Sequence, residues 1–232
     1  MPEWWTYGLS DFLLFAPRTY YRLIERHNAA LWPAHVVTLA TGLVAAVLVR
    51  RPAPGRSRAA AALLAAVWAW VGWAFVARRY ATINWAATYL ALLFAVETLL
   101  LGWIAAAPGG LRIGRRRGAT RAPAGARKVA GAALFGFALL LYPLLAPVLG
   151  RDWSQAEVFG VAPDPTALGT LGVLLRAEGL PRGVLLAAPV LWCLLSGATL
   201  WAMGSAEAWI VLSGASLALA VAVSEAKGPR GP

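Results

Sequence analysis

Apolar runs long enough to cross a lipid bilayer take up most of this chain of 232 residues. A helix needs about 20 apolar residues to span a membrane. Runs that meet or approach this length cover Leu31–Val49, Ala59–Ala77, Trp85–Ala107, Val129–Leu149, Val184–Met203 and the slightly shorter Ala206–Val223. The chain is therefore predicted to be all-α, a polytopic bundle of transmembrane helices.

The composition argues against a soluble domain. Hydrophobic residues make up 60% of the chain and charged residues 13%, whereas soluble domains carry about 25% charged residues. The net charge of +11 would suggest a nucleic-acid partner in a soluble protein, but here it is better explained by cytoplasmic loops that hold a membrane protein in place. No nucleic-acid partner is expected. A single cysteine, Cys193, excludes a disulfide framework within one chain.

The stretch Val158–Leu175 decides the number of spans. It is apolar, but Pro163, Asp164 and Pro165 interrupt it, so it is either a seventh span or a surface loop. If it does not cross, the lysines and arginines divide almost evenly between the two sides. If it crosses, 15 of the 21 lie on one side, and the other side keeps only Arg18, Arg22, Arg26, Arg78, Arg79 and Arg151. Cytoplasmic loops carry such an excess, which favours about seven spans, an outer N-terminus and a cytoplasmic C-terminus.

Three parts of the chain are expected around this topology. Residues 1–30 form an N-terminal segment on the periplasmic side, and the first span, rather than a cleaved signal peptide, directs the chain to the membrane. Within it, Tyr20, Leu23, Ile24, His27 and Leu31 recur at helical spacing, which predicts an amphipathic helix in the membrane interface. This helix could also cap the outer end of the bundle. Residues 31–224 form the transmembrane bundle with a basic cytoplasmic loop at 108–128, and residues 225–232 a disordered tail.

Tryptophans fall near the predicted outer ends of the spans. They form either an aromatic belt at the headgroup level or a surface for a partner or an apolar ligand. The interface candidates are Trp4, Trp5, Trp32, Trp85, Trp153, Trp201 and Trp209. Small residues in the last two predicted spans, Gly197, Gly204, Ser213, Gly214 and Ser216, allow close helix packing within the bundle or in an oligomer.

Glu97 is the acidic residue deepest in a predicted span. Ionisable residues inside a membrane are costly and are functional candidates. Thr88, nine residues earlier, is expected on a similar face, and Asn84 near the outer mouth. The three residues suggest a proton or cation relay. Alternatively, a protonated Glu97 is hydrogen-bonded to a neighbouring helix.

Asp164 and Thr166 follow a predicted helix break. With Pro165 as the first helical residue, the Asp164 carboxylate would cap the free N–H groups. The alternative is a broken helix whose N-terminus binds an anion, as in many transporters.

His35, in the first span, is a further candidate for the polar network, although hydrogen-bonding roles are expected for both His35 and His27, the latter at the surface. The pair is too poorly placed for a metal site, and no metal or other cofactor is expected. Covalently bound retinal is excluded, because it needs a lysine inside a span, and the only two lysines, Lys128 and Lys227, lie outside the spans.

Three stretches resemble domain-of-unknown-function family 6064, an uncharacterised family of bacterial integral membrane proteins. These are Asn28–Ala34, Ile83–Ala87 with the following span, and Phe159–Thr166 with Leu168–Gly172. The resemblance implies a bacterial multi-span membrane protein and suggests that Asn84, Trp85, Asp164 and Thr166 belong to a recurrent framework. It implies no activity and no catalytic residues.

The scarcity of polar residues in the spans favours a non-enzymatic accessory subunit in the bacterial inner membrane. Its expected partners are the lipid bilayer and other membrane proteins or further copies of the chain. The alternative is a small-solute, ion or proton transporter or channel that uses Glu97 and the break at Asp164. An intramembrane enzyme or cofactor protein is a third, less favoured function, since no hydrolase, nucleotide or metalloprotease motif is present.

Overall fold

The computed structural model describes residues 13–50, 53–107, 112–113, 124–178 and 182–226. Within these ranges the protein is a bundle of helices. The helices are α1 (Pro17–Leu31), α2 (Ala34–Arg50), α3 (Pro54–Val71), α4 (Ala87–Ala106), α5 (Ala124–Gly136), α6 (Leu145–Val148), α7 (Pro163–Arg176), α8 (Arg182–Ala202) and α9 (Glu207–Ala226). Two-residue strands, β1 (Arg112–Ile113) and β2 (Ala177–Glu178), pair antiparallel.

Two of the long helices change pitch part-way. α3 continues as a π-helical stretch, Gly72–Ala77, and α5 continues as another, Phe137–Leu141. Each stretch leads into a short 3₁₀ turn, at Tyr80–Thr82 or Tyr142–Leu144. These irregular stretches carry Tyr80 and Tyr142 to the end of the bundle at which α1 lies. We call this end the α1 end.

Four helical segments of the described residues are long and apolar enough to cross a membrane. They are Gly55–Thr82, Ala87–Ala106, Arg127–Val148 and Gly183–Ala202. A fifth is possible if α1 and α2, which meet at an angle of 89°, are counted as one bent span. The protein thus has several helices suited to a membrane, but the predicted count of seven is not confirmed. α7 has only 14 residues, or about 21 Å at 1.5 Å per residue, and the apolar part of α9 is also short.

The described contacts define an opposite end of the bundle. There Arg58, in the first turns of α3, donates through Nε to Ala105 O of α4 at 2.7 Å. Arg176, the last residue of α7, donates to Val49 O of α2 and Lys128 O of α5, both at 3.3 Å. The long helices from α3 to α9 that follow one another along the chain therefore run in alternating directions between the two ends.

α7 is the central helix of the bundle. Every residue from Pro163 to Leu175 is buried, and its neighbours include α3, α5, α8 and α9. Gly131 of α5 and Gly172 of α7 allow the closest approach, because a Cβ at Gly131 would lie 2.6 Å from Gly172 O. A helix so enclosed in protein does not need a lipid-facing apolar surface of its own.

The predicted amphipathic helix forms as α1, but its apolar face packs against protein. Tyr20, Leu23, Ile24 and His27 are all buried. The Tyr20 ring contacts Tyr80, and the His27 ring contacts Phe75. α1 thus caps the bundle, the alternative left open by the sequence, and its place in a membrane interface stays a prediction.

Some predicted segments lie partly outside the described residues. Residues 1–12, with Trp4 and Trp5, are outside, as is most of the predicted basic loop 108–128. The described part of that loop contains β1 and the start of α5. Of the predicted tail, residues 225 and 226 belong to α9, and residues 227–232 are outside.

Candidate functional site

Asp164 is the centre of a buried polar cluster at the α1 end. It is the second residue of α7 and has no exposed surface. Trp192 Nε1 donates to its Oδ1 at 2.7 Å, Ser196 Oγ donates to its Oδ2 at 2.8 Å, and Tyr142 OH donates to Oδ2 at 3.5 Å. Trp192 and Ser196 are four residues apart on α8 and so share one face. A carboxylate only accepts hydrogen bonds, so its ionised form satisfies all three donors.

The expected capping role of Asp164 is therefore wrong. α7 begins at Pro163 rather than Pro165, and the Asp164 side chain points to α8 instead of to its own helix start. Thr166 makes the local contacts: its Oγ1 accepts from Gly160 N at 2.9 Å and donates to Ala162 O at 2.7 Å.

Irregular backbone lies buried just before α7. All residues from 156 to 162 are buried, yet none of them is helical. Gly160 turns the chain with φ +76°, and a Cβ there would lie 2.8 Å from Thr38 Cβ, so a side chain would be both strained and overpacked. Membrane proteins tolerate non-helical backbone only where protein or a water-filled cavity surrounds it. Here protein surrounds it.

Glu207 and Arg151 form an ion pair next to Asp164. Arg151 Nη2 donates to Glu207 Oε1, and the Glu207 side chain has no exposed surface. The guanidinium of Arg151 also stacks over the Tyr21 ring, 4.4 Å from its centroid. The pair therefore links the start of α9 to the loop after α6 and to α1.

Glu157 is the third acid of the cluster and the least satisfied. It is 2% exposed, and neither carboxylate oxygen has a hydrogen-bond partner among the described residues. Burial raises its pKa well above the ordinary value, and the negative charges of Asp164 and Glu207 raise it further, while Arg151 opposes them. The Glu157 carboxyl is thus held in its neutral form over a wider pH range than a free glutamate.

A cavity of about 160 Å³ adjoins this cluster, between α1, α3, α4 and α8. Aromatic side chains form much of its wall: Tyr20, Phe75, Tyr80 and Trp192. Its polar groups come from Asn84, Ser196 and Thr199. Trp192 and Ser196 therefore face the cavity while they hydrogen-bond to Asp164 behind it.

Family membership is shown by a match over nearly the whole chain, not by the residues of this site. The model of DUF6064, described as a family of unknown function, matches residues 18–230. The chain belongs to this family. No curated protein and no solved structure matches it.

The predicted relay of Asn84, Thr88 and Glu97 does not assemble. Nine residues of an α-helix make two and a half turns, so Thr88 lies on the face opposite Glu97, and it is exposed whereas Glu97 is fully buried. Asn84 Oδ1 accepts from Ala86 N at 3.0 Å. Neither Glu97 oxygen has a hydrogen-bond partner among the described residues, so the expected bond to a neighbouring helix is also not seen there.

The two histidines lie at the α1 end. His35 is half-buried, and its Nε2 lies 3.2 Å from Asn28 Oδ1. His27 was expected at the surface, but it is 2% exposed, with Nε2 3.3 Å from Val161 O. It belongs to the apolar stripe of α1, which contacts the bundle. The described residues contain no group of three or more His, Cys, Asp or Glu that could hold a metal.

The described interface tryptophans all lie on the surface at the α1 end. Each is more than half exposed: Trp32, Trp85, Trp153, Trp201 and Trp209. Trp201 and Trp209 pair across the α8–α9 turn with ring centroids 4.8 Å apart. Of the small residues, Gly197 and Gly214 are used inside the protein, because a Cβ would meet Leu212 at 2.6 Å or Leu168 at 2.3 Å.

The sequence did not predict most of the polar cluster. It pointed to Asp164, but Arg151 was counted only as a charge on the outer side, and no role was assigned to Glu157 or Glu207. The available signal was their position: each acid lies within a few residues of a predicted outer span end. Trp192 and Ser196 gave no signal, since they look like ordinary residues of an apolar helix.

Proposed function

We propose that this protein is a multi-span bacterial inner-membrane protein that acts as a non-enzymatic accessory subunit. Its α1 end faces outward. One observation carries this proposal: among the described residues, the buried hydrogen-bonded acids collect at the α1 end, and the core beyond them is mostly apolar. Large side chains with no exposed surface, including Leu64, Trp68, Leu101 and Leu171, occupy that core. A transport path would need polar groups that continue through it.

Seven crossings are part of the proposal. α7 and α9 are short, but α7 is wholly buried, so it need not match the thickness of the hydrocarbon layer. Basic residues at the opposite end, among them Arg50, Arg58, Lys128 and Arg176, fit the excess of positive charge expected in the cytoplasm.

The exposed surfaces support association within the membrane. α2 and α4 present exposed apolar side chains such as Val37, Val47, Leu92 and Leu99. Lipid tails cover such faces equally well, so they do not define a partner. The pair Trp201–Trp209 is more specific, since tryptophan is enriched at the centres of protein interfaces. We propose this pair as the main docking contact.

Affinity purification from native membranes in mild detergent tests the accessory function. We expect the protein to co-purify with a defined membrane-protein partner. Trp201→Ala combined with Trp209→Ala should abolish that association. Trp103→Ala is the matched control, because Trp103 is exposed to a similar degree near the end of α4. Recovery of the wild type only as a lone monomer would contradict the proposal.

A proton or ion transporter is the second candidate, and Glu97 favours it. Glu97 lies midway along α4, fully buried and without a hydrogen-bond partner among the described residues. An ionisable group at such a depth costs roughly 2.5–3.5 kcal/mol on insertion scales and is a functional candidate.

Proteoliposomes containing a pH-sensitive dye distinguish the two functions. Proton flux that Glu97→Gln abolishes and Glu25→Gln preserves would favour transport, whereas the accessory function predicts no flux above that of empty liposomes.

A further inference from the structure

The cavity between α1, α3, α4 and α8 has the size of a ligand site. Its volume of about 160 Å³ is close to that of an engineered apolar cavity of about 150 Å³ that binds one benzene molecule. Leu195, which lines it, is 42% exposed, so the cavity reaches the protein surface beside α8. It therefore has room for one small ring or a short alkyl group, with a way in.

The walls favour a positive charge. Aromatic rings present negative π faces, and cations bind to them within about 6 Å. Tyr80 is the central ring: its centroid is 6.1 Å from that of Tyr20, 6.1 Å from that of Phe75 and 6.5 Å from that of Trp192. Asn84 and Thr199 add polar groups near the Tyr80 hydroxyl. The wall thus combines aromatic rings with neutral polar groups.

The acidic residues next to the cavity also favour a cation over an anion. Asp164 is bonded to two cavity-lining side chains, Trp192 and Ser196. Tyr20, on the other side of the cavity, lies within electrostatic range of Glu157, Asp164 and Glu207. Arg151 opposes these acids but is already paired with Glu207. Because Glu157 is neutral and Glu207 is paired with Arg151, the charge of the ionised Asp164 decides the preference: it would repel an anion in the cavity and stabilise a cation.

We propose that this cavity binds an organic ammonium ion that carries one small apolar or aromatic group. The apolar group fills the cavity that Phe75, Tyr80 and Trp192 line. The ammonium group lies on the Ser196 side, where the negative charge of Asp164 is transmitted through one hydrogen bond. This ligand site goes beyond the accessory function and does not depend on any protein partner.

Binding of three probes of similar shape to the protein in nanodiscs at pH 7 tests the proposal. The probes are benzylammonium, benzyl alcohol and benzoate, with empty nanodiscs as the blank for partition into lipid. We expect benzylammonium to bind at least about tenfold more tightly than benzyl alcohol, which corresponds to 1.4 kcal/mol, and benzoate not to bind. Equal binding of benzylammonium and benzyl alcohol, or no binding of benzylammonium, would overturn the proposal.

Two variants locate the site. Ala86→Leu, just before α4, places a larger side chain in the cavity wall and should abolish benzylammonium binding, whereas Ala95→Leu, at an exposed position of α4, should preserve it. Asp164→Asn should remove the preference for benzylammonium over benzyl alcohol. If Asp164→Asn does not fold, the probe series and the Ala86→Leu variant still test whether the cavity binds the ammonium ion. Unchanged binding in Ala86→Leu would show that the ligand lies elsewhere and would overturn the assignment.

Discussion

The buried acidic side chains at the α1 end differ sharply in the hydrogen bonds and ion pairs that the fold gives them. Asp164 has three donors, and Glu207 has an ion pair with Arg151. Glu157 has neither among the described residues, although it is equally enclosed. Burying an ionised group without a partner is far more costly than burying its neutral form. The cluster therefore depends on a proton at Glu157 for part of its stability.

This dependence predicts how stability changes with pH at the residue scale. The pKa of Glu157 is raised in the folded state, so the folded protein binds a proton that the unfolded chain releases above its ordinary pKa of 4.5. Stability is then lost as pH rises towards the folded pKa, by about 1.4 kcal/mol for each unit between the two values. Glu157→Gln should match the wild type near pH 5 and be more stable at pH 8.

Thermal unfolding in detergent at the two pH values measures this difference. The charges of Arg151, Asp164 and Glu207 also act on Glu157, and these groups change the stability with pH as well. The effect of Glu157 is therefore the difference between the variant and the wild type at each pH. Glu25→Gln, at an exposed position of α1, should reproduce the wild-type profile. A Glu157→Gln variant less stable than the wild type at pH 8 would show that Glu157 is ionised and partnered.

Among the elements, the contact between α5 and α7 sets how deeply α7 sits in the bundle. Gly131 and Gly172 face each other so closely that the backbones touch, and a Cβ at Gly172 would lie 2.6 Å from Phe135 N. Backbone atoms cannot move aside as the end of a flexible side chain can. The two glycines thus allow α7 to be enclosed completely, and with it the start of α7 that carries Asp164.

Gly131→Ala should therefore destabilise the protein by about 1–3 kcal/mol, the usual effect of overpacking. Gly136→Ala on the same helix is the matched control, because no heavy atom lies within 4 Å of its added Cβ and its φ of −62° suits alanine. It should be neutral or stabilising by up to about 1 kcal/mol. Midpoints of thermal unfolding measure both, and equal effects of the two substitutions would contradict the proposed contact.

For the molecule as a whole, the distribution of charge gives the bundle two unlike ends. The described acids with buried side chains, apart from Glu97, lie at the α1 end, and Arg58 and Arg176 bond to helix C-termini at the opposite end. With seven crossings, the positive-inside rule places the opposite end in the cytoplasm. In this proposed orientation, the cavity and the Trp201–Trp209 pair would both face outward.

Cysteine labelling with a membrane-impermeant maleimide tests this orientation in spheroplasts. Asp152→Cys, at an exposed position of the α1 end, should react before permeabilisation. Gly55→Cys and Gly183→Cys, with no heavy atom within 4 Å of the added Cβ, should react only afterwards. The native Cys193 is fully buried and gives little background. Labelling of Gly183→Cys from outside would show that α7 does not cross the membrane.

The sequence by itself determined the helical class and the approximate positions of the membrane-suited helices, because a long apolar run specifies a helix locally. It also identified the stripe of α1 that contains Tyr20 and His27. It did not determine how far α7 extends, since the burial of a short helix depends on its neighbours. The family resemblance pointed to the correct family and to Asp164 and Thr166 as framework residues, but it implied no activity.

Only the tertiary structure decided which polar residues meet. Glu157 and Asp164 come from the segment around the start of α7, Ser196 from α8 and Glu207 from α9, and hydropathy describes each residue only through its sequence neighbours. Their grouping around Asp164 depends on the packing of α7 between α5, α8 and α9, and the cavity depends on α1 closing over the bundle. Such contacts have no local signal, because their free energy arises between helices rather than within them.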